Sequence, residues 1–233
     1  MPHDILETTR GDERRVEKLS NDKHFVEKLR EVVGLYLNPP EHALVFCVDE
    51  KTQIQALERA QRSLPLGNGH VKTATHDYKR HGTTSLFAAL NILKGKVIGM
   101  CRKRHRHEEF IAFLNKIDQA IAGKYEVHCI VDNYSTNKHK DVKTWLRTHP
   151  RFHFHFIPTS SSWLNLVERW FGEITRKRIR RGSFTSERDL IDAIYSYIAE
   201  TNSHPKPFIW TKTADEILAS VARFCQRTSG TGH

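Results

Sequence analysis

Ala43-Leu-Val-Phe-Cys-Val-Asp49 and Val127-His-Cys-Ile-Val-Asp132 are two short apolar runs that each end in a carboxylate. Both runs are continuous rather than alternating, the pattern of strands covered on both faces of a sheet. A carboxylate closing such a strand loses its hydration and is costly unless a cation pairs with it. A third carboxylate, Glu168, lies on the inward side of Ser162-Trp-Leu-Asn-Leu-Val-Glu-Arg-Trp-Phe171, a segment with the apolar spacing of a helix. Each group alone has a plainer explanation. The aspartates could be strand-end turn formers, and Glu168 could pair with Arg169 or Lys177. Taken together, three such groups from three distant segments point to a divalent metal.

Composition narrows the class. The 233 residues fit one medium-sized domain, long enough to bury a core. At 38% apolar content, no run approaches the roughly 18 apolar residues of a membrane span. The start, Met1-Pro-His-Asp-Ile-Leu, lacks the charged-then-apolar order of an export signal. Cys47 and Cys129 sit inside the two apolar runs, while Cys101 and Cys225 stand alone, which suits reduced thiols in a cytoplasmic protein.

The net charge of +10 and pI near 9.5 favour a polyanionic partner. The excess is clustered. Arg102, Lys103, Arg104 and Arg106 fall within seven residues, and Arg169, Arg176, Lys177, Arg178, Arg180 and Arg181 face only Glu173 nearby. The expected nucleic-acid contacts are Arg102, Lys103, Arg104, Arg169, Arg176, Lys177, Arg180 and Arg181.

Periodicity and turn residues place the elements. Residues 1–19 are polar and patternless, and Asp12-Glu-Arg-Arg15 has no apolar spacing. After a cap at Ser20-Asn-Asp-Lys, a helix carries Phe25, Leu29, Val32 and Val33 and stops before Pro39-Pro40. The first strand ends at Asp49, followed by a short Gln53–Leu57 segment and a loop through Pro65-Leu-Gly-Asn-Gly69. Thr83–Ile92 and Lys96–Cys101 form a hairpin around Lys94-Gly95. A helix over His107–Ile121, a strand over Glu126–Asp132, a helix over Lys138–Thr148 and a strand over Phe152–Ile157 follow. Helices over Ser162–Arg180, Glu187–Thr201 and Ala214–Gln226 complete the chain. The order β-β-β-α-β-α-β-α predicts an α/β, ribonuclease H-like fold. It has a mixed five-stranded sheet flanked by helices, with additional C-terminal helices. At about 100° per residue, Leu164, Val167, Phe171 and Ile174 fall to one side of Glu168, and Arg169, Arg176 and Arg180 to the other. Glu168 is therefore expected on the seam between the sheet-packing face and a basic stripe.

With thirty-five residues between Asp132 and Glu168, the chain resembles the DDE transposases of the ribonuclease H-like superfamily, in the mariner-related branch of bacterial insertion sequences. The resemblance runs from about Ser20 to about Arg227. It rests on Gly34-Leu-Tyr-Leu-Asn-Pro-Pro-Glu41, Val48-Asp-Glu-Lys51, Thr75-His-Asp-Tyr-Lys-Arg80 and Leu86-Phe-Ala-Ala-Leu90. Val131-Asp-Asn-Tyr134, Pro158-Thr-Ser-Ser-Ser-Trp-Leu-Asn-Leu-Val-Glu168 and Pro205-Lys-Pro-Phe208 extend it. It implies Asp49, Asp132 and Glu168 as catalytic metal ligands for Mg2+ or Mn2+, with two ions expected. It also implies double-stranded DNA as substrate, both element ends and target, and insertion at TA dinucleotides. A homodimer or higher assembly on DNA and a bacterial cytoplasmic, nucleoid-associated location are expected, with no membrane partner. The expected organisation is an extension and lead-in helix over 1–40, a catalytic domain over 41–228 and a flexible tail over 229–233. Since the family reads its terminal repeats with helix-turn-helix modules, the short extension predicts that these are missing and that a separate DNA-recognition subunit supplies them. Two alternatives stay open: a catalytically silent DNA-binding protein derived from a transposase, and another ribonuclease H-like nuclease such as a resolvase.

Weaker signals surround the carboxylates. Asn133 and Asn165 could support the site or simply be a turn and a helix-start residue. Asn137 stands where many relatives place His before a Lys, which puts a catalytic role there in doubt. His153 and His155 share one strand face as solvent-facing positions of an edge strand, and a zinc site would need further ligands. Ser160-Ser-Ser162 has no His base at a recognisable spacing and suits a loop and cap. Trp163 and Trp170 are expected in the core, although aromatics beside basic stripes can stack on bases.

Overall fold

The computed structural model of the chain describes residues 22–59, 78–133 and 135–229. Helix α1 (Phe25–Leu37) leads into strands β1 (Ala43–Arg59), β2 (Tyr78–Asn91) and β3 (Val97–Arg102). Helix α2 (His107–Ala120), β4 (Glu126–Val131), α3 (Lys140–Thr148) and β5 (Phe152–Phe156) follow. The chain then runs through α4 (Leu166–Ile174), α5 (Glu187–Ser203) and α6 (Ala214–Ser229). The sheet order is β3-β2-β1-β4-β5, with β1–β2 and β2–β3 antiparallel and β1–β4 and β4–β5 parallel. This is the mixed five-stranded, ribonuclease H-like arrangement expected from the order of elements.

Strand alternation divides the core into two layers. Val45 and Cys47 of β1, Ala88 and Leu90 of β2 and Ile130 of β4 face one side. There they pack with Leu29 and Val32 of α1, Val167, Trp170 and Phe171 of α4, and Leu190 and Ile194 of α5. Phe46 and Val48, Phe87 and Ala89, and Cys129 and Val131 face the other side, against Phe110, Phe113 and Leu114 of α2 and Val142 and Trp145 of α3. A sheet covered on both faces explains why the central strands carry continuous apolar runs. Asp22 pins the start of α1. Its carboxylate accepts from the Lys28 ammonium at 2.8 Å and from the Thr159 amide at 2.9 Å. Burial opposes ionisation there, but the Lys28 and amide bonds outweigh it and bring the carboxyl down to about 2. Gly95 closes the β2–β3 hairpin at φ +65°, and a Cβ there would lie 2.5 Å from the Lys206 backbone. Only glycine fits that approach.

Three expectations need correction. Strand β1 does not end at Asp49 but continues to Arg59, paired with β2 as far as Arg59–Tyr78. What ends just before Asp49 is the pairing with β4, whose last registered pair is Cys47–Ile130. The extension is masked in sequence because register shifts at Lys51/Ile54 and Gln55/Leu57, with Gln53 at φ 50°, interrupt its alternation. The single helix expected over Ser162–Arg180 is three pieces: a 3₁₀ turn (Ser162–Leu164), α4, and a π turn (Thr175–Ile179) in which the Arg180 amide bonds the Thr175 carbonyl at 2.8 Å. Trp163 is not core. It is 49% exposed, whereas Trp170 is buried as expected. Residues 1–21 with the Ser20 cap, the Pro65–Gly69 loop, Thr75–His76 and the last four residues lie outside the described residues, as does the Cys225 side chain. Cys47, Cys101 and Cys129 are free and buried. No helix among the described residues is long and apolar enough to cross a membrane.

Candidate active site

The carboxylates collect where β1 and β4 part, the point at which sheet order reverses and α/β folds place their ligands. Cys47 and Ile130 face the α4 side, so Asp49 and Asp132, each two residues further on, keep that side. Glu168 comes to them from the first turn of α4. Asn165, just before α4, breaks the helix in order to reach the sheet. Its amide donates to the Val48 carbonyl at 3.1 Å and to Asp49 Oδ2 at 3.4 Å. Tyr36 of α1 secures the same turn by donating to the Leu164 carbonyl at 2.5 Å.

Asp132 is held from its own loop. The Asn137 amide donates to Asp132 Oδ1 at 2.7 Å, and the Asn133 amide to the Ile157 carbonyl at 2.8 Å. The position where the sequence departs from the family's His is thus a buried support for the second aspartate. Asn165 likewise touches a carboxylate, that of Asp49, whereas Asn133 bonds the Ile157 carbonyl and none of the carboxylates.

Electrostatics single out the strand-borne acids. Burial first, and then the charges of Asp132 and Glu168, push the Asp49 carboxyl up to about 8. Burial, Asp132 and Glu168 raise Glu50 to about 7. Glu50 was not among the expected site residues. The Val48-Asp-Glu-Lys51 stretch contained the signal, but strict strand alternation would send neighbouring side chains to opposite faces. Glu168 itself is exposed, at the rim of the site and not inward. It lies between buried Val167 and exposed Arg169, Arg176 and Arg180, so the seam holds despite the broken helix.

This donor set fits a hard divalent cation, which favours carboxylate oxygens and keeps part of its water shell. The buried amide oxygens of Asn133, Asn137 and Asn165 have no hydrogen-bond partner among the described residues. They are acceptors of the kind a hydrated ion's water would use.

The model of the family described as DDE superfamily endonuclease matches residues 43–191, which include every carboxylate of the cluster. The chain belongs to this family. It is 25% identical over 120 residues to an uncharacterised 39 kDa protein of insertion element IS630 from Shigella sonnei, covering 52% of this chain and 35% of that protein. Its fold resembles the catalytic domain of Mos1 mariner transposase, with TM-score 0.56 and 13% identity over 94% of this chain and 95% of that one. It also resembles the Mos1 chain of a strand transfer complex, with TM-score 0.61 and 16% identity over 95% of this chain and 63% of that one. The chain thus spans about a third of the insertion-element protein and under two thirds of that Mos1 chain.

In this DDE domain the basic residues reach the carboxylates from two directions. Strand register aligns Asp49 with Ala88 and Gly99, so Arg102, Lys103 and Arg104 emerge at the same end of the sheet. All three are exposed. Arg169 lies over the Phe208 ring at 5.0 Å, which gives the Pro205–Phe208 match a packing role. Lys177 pairs with Glu173 at 2.8 Å, leaving Glu168 outside that ion pair. Arg176, Arg180 and Arg181 are exposed. Beside Glu168 a groove is lined by Trp163, Asn165, Arg169, Ile209 and Trp210.

The paired histidines of β5 are not simply solvent-facing. His155 bonds Glu31 of α1 at 2.6 Å and His128 of β4 at 2.8 Å, while exposed His153 meets Glu126 at 2.7 Å.

Proposed function

We propose that this chain is the catalytic core of an insertion-element transposase acting on double-stranded DNA, with Asp49, Asp132 and Glu168 as its metal ligands. The observation that carries this reading is the gathering of Asp49, Glu50, Asp132 and Glu168 at one end of the sheet, where burial and then the charges of Asp132 and Glu168 raise Asp49 to about 8 and Glu50 to about 7. Such repulsion is a standing cost unless a dication enters. The catalytic unit corresponds to residues 41–228, with α1 leading in. Mg2+ or Mn2+ suits the oxygen donors, and two ions would serve both sides of a phosphodiester. Among the similar solved structures are Mos1 paired-end complexes with Mg and with Mn.

A bound dication supplies charge against the attacked phosphate and acidifies a water. The chain's own residues do the rest. Asn165 and Asn137 hold Asp49 and Asp132 at fixed positions, and the break at Asn165 sets the start of the helix that carries Glu168. Arg102, Lys103 and Arg104 on one side and Arg169, Arg176, Lys177, Arg180 and Arg181 on the other receive the DNA backbone without reading its sequence. In the first step a water oxygen bonds to phosphorus and gives a proton to solvent, while the bond to the bridging 3′ oxygen breaks and that oxygen takes up a proton from solvent to leave as a hydroxyl. In the second that hydroxyl oxygen bonds to a target phosphorus and gives up its proton, while the bond to the target's bridging 3′ oxygen breaks and that oxygen leaves protonated as a hydroxyl. Assembly as a dimer or larger on DNA follows from the need to bring two element ends to one target.

Nicking of supercoiled plasmid tests the assignment. Cleavage should require Mg2+ or Mn2+ and fall about 10³-fold or more in Asp49→Asn, Asp132→Asn and Glu168→Gln. Metal-dependent nicking that survives Asp132→Asn would remove that residue from the site.

A further inference from the structure

A second group of potential ligands lies at the same end of the sheet but on its other face. His107 opens α2, His139 precedes α3, and Asp141 sits in the first turn of α3. One ligand atom from each lies within 4.8 Å of the other two. His107 Nε2 is 3.2 Å from Asp141 Oδ2, and His139 Nδ1 is 3.6 Å from the same oxygen. The two imidazoles stack with centroids 3.7 Å apart, 20° from parallel. We infer that His107, His139 and Asp141 form a second metal site, for a transition-metal dication of the zinc type and separate from the carboxylate cluster.

Ligand spacing is the first support. Zinc binds imidazole nitrogen and carboxylate oxygen at about 2.0–2.2 Å, so two ligands at a tetrahedral angle lie roughly 3.4 Å apart. The separations of 3.2 and 3.6 Å bracket that value. Helix capping brings His139 beside Asp141, but it does not account for His107, which reaches the same oxygen from another helix. The second support is behind the ligands. The remaining nitrogen of His107, Nδ1, faces Glu108 Oε2 at 3.5 Å. A carboxylate on the far nitrogen is the usual means of fixing a metal-bound imidazole's tautomer and orientation. Both histidines are partly shielded, with side chains 26% and 35% exposed, while Asp141 at 48% leaves an open side for water.

Ligand chemistry separates the two sites. Two imidazoles with one carboxylate select zinc, cobalt or nickel, whereas an all-carboxylate set suits magnesium or manganese. Opposing forces are also present. Both helix N-termini point their positive ends toward this cluster, Arg106 and Lys140 are its neighbours, and His139 Nδ1 already accepts the Asp141 amide at 3.3 Å. Binding must overcome these, so affinity on the order of micromolar is expected. The consequence reaches the candidate active site. The short turn Ser135–Lys138 joins Asp132 to His139, and its Asn137 holds the Asp132 carboxylate. An ion fastening α3 to α2 would brace that turn.

The test uses the whole chain without an added histidine tag. Zn2+ or Co2+ is dialysed in with excess Mg2+ to occupy the carboxylates. One ion per chain should remain, Co2+ should give the visible absorption of a low-coordinate nitrogen–oxygen site, and Zn2+ should raise the melting temperature. His107→Phe keeps the stacked ring but removes the ligand, and Asp141→Asn keeps the shape. Each should lower Zn2+ affinity about tenfold or more and abolish the Co2+ spectrum, while Glu168→Gln and His128→Asn should leave both intact. Unchanged binding in His107→Phe and Asp141→Asn would overturn the inference, as would loss of the ion in Glu168→Gln or His128→Asn, or no retained ion at all.

Discussion

The two halves of the carboxylate site are built differently. Asp49 and Glu50 of β1 and Asp132 just after β4 sit partly buried, and burial followed by the Asp132 charge raises the proton affinity of Asp49 and Glu50. Glu168 comes from a helix that starts only after the chain is pulled aside at Asn165, and it stays exposed. The sheet therefore supplies a rigid, strained nest of charge, and the helix supplies a ligand whose position depends on one side-chain anchor. Costs of repulsion fall on the strand half, while costs of misplacement fall on the helix half.

The largest expected effects come from the anchors. Asn165→Ala should loosen the start of α4, and Asn137→Ala should free the Asp132 carboxylate. Each should weaken Mn2+ binding about 10- to 100-fold, the usual effect of losing a residue that orients a ligand. Calorimetric titration measures this directly. Asn165→Ala should also cost stability, roughly 1–3 kcal/mol, because it removes the amide that the buried Val48 carbonyl accepts from. If both variants bound Mn2+ normally, the site would not need its anchors and the contrast between its halves would collapse.

A smaller effect separates the halves in the absence of metal. Asp49 and Glu50 have folded-state values of about 8 and about 7, well above those of an unfolded chain. Between roughly pH 4 and pH 8 the folded protein holds protons that the unfolded chain has released. Their contribution is thus fully present below about pH 4 and is lost as pH rises through about 7 and 8. In a chelator, the melting temperature should fall over that window, and saturating Mg2+ should flatten the fall. Asp49→Asn should raise the metal-free melting temperature at pH 8 by several degrees, and Glu168→Gln should barely change it. Equal shifts in the two variants would place the repulsion elsewhere.

Much of this was legible in the sequence because burial on both faces leaves a simple mark. The runs ending at Asp49 and Asp132 could be only central strands, and two such strands in a mixed sheet bring their ends together. What stayed hidden depended on side chains overriding a period. Asn165 interrupts the 3.6-residue spacing because its amide is worth more on the sheet than in the helix. Glu50 joins the carboxylates against strand alternation at the point where β1 is released from β4. The extension of β1 to Arg59 vanished behind two register shifts. His107 and His139 lie over thirty residues apart and share no motif, so only the packing of α2 against α3 shows them stacked.

The smallest expected effect concerns the basic residues beyond Glu168. Each phosphate contact contributes about 0.9 to the slope of log affinity against log salt for duplex DNA. Arg176 is exposed, whereas the Lys177 ammonium already lies 2.8 Å from Glu173. A pair of that kind at an exposed site is worth little in stability, yet Glu173 competes with a phosphate for the lysine. Arg176→Gln should reduce the slope by nearly one contact and weaken binding to all duplexes alike. Lys177→Gln should change it by distinctly less, and Glu173→Gln should increase affinity by freeing the lysine. Binding isotherms on one random duplex at several salt concentrations are sufficient. A full unit lost in Lys177→Gln, with no gain in Glu173→Gln, would show that the helix presents a uniform basic stripe and that its ion pair opens when DNA arrives.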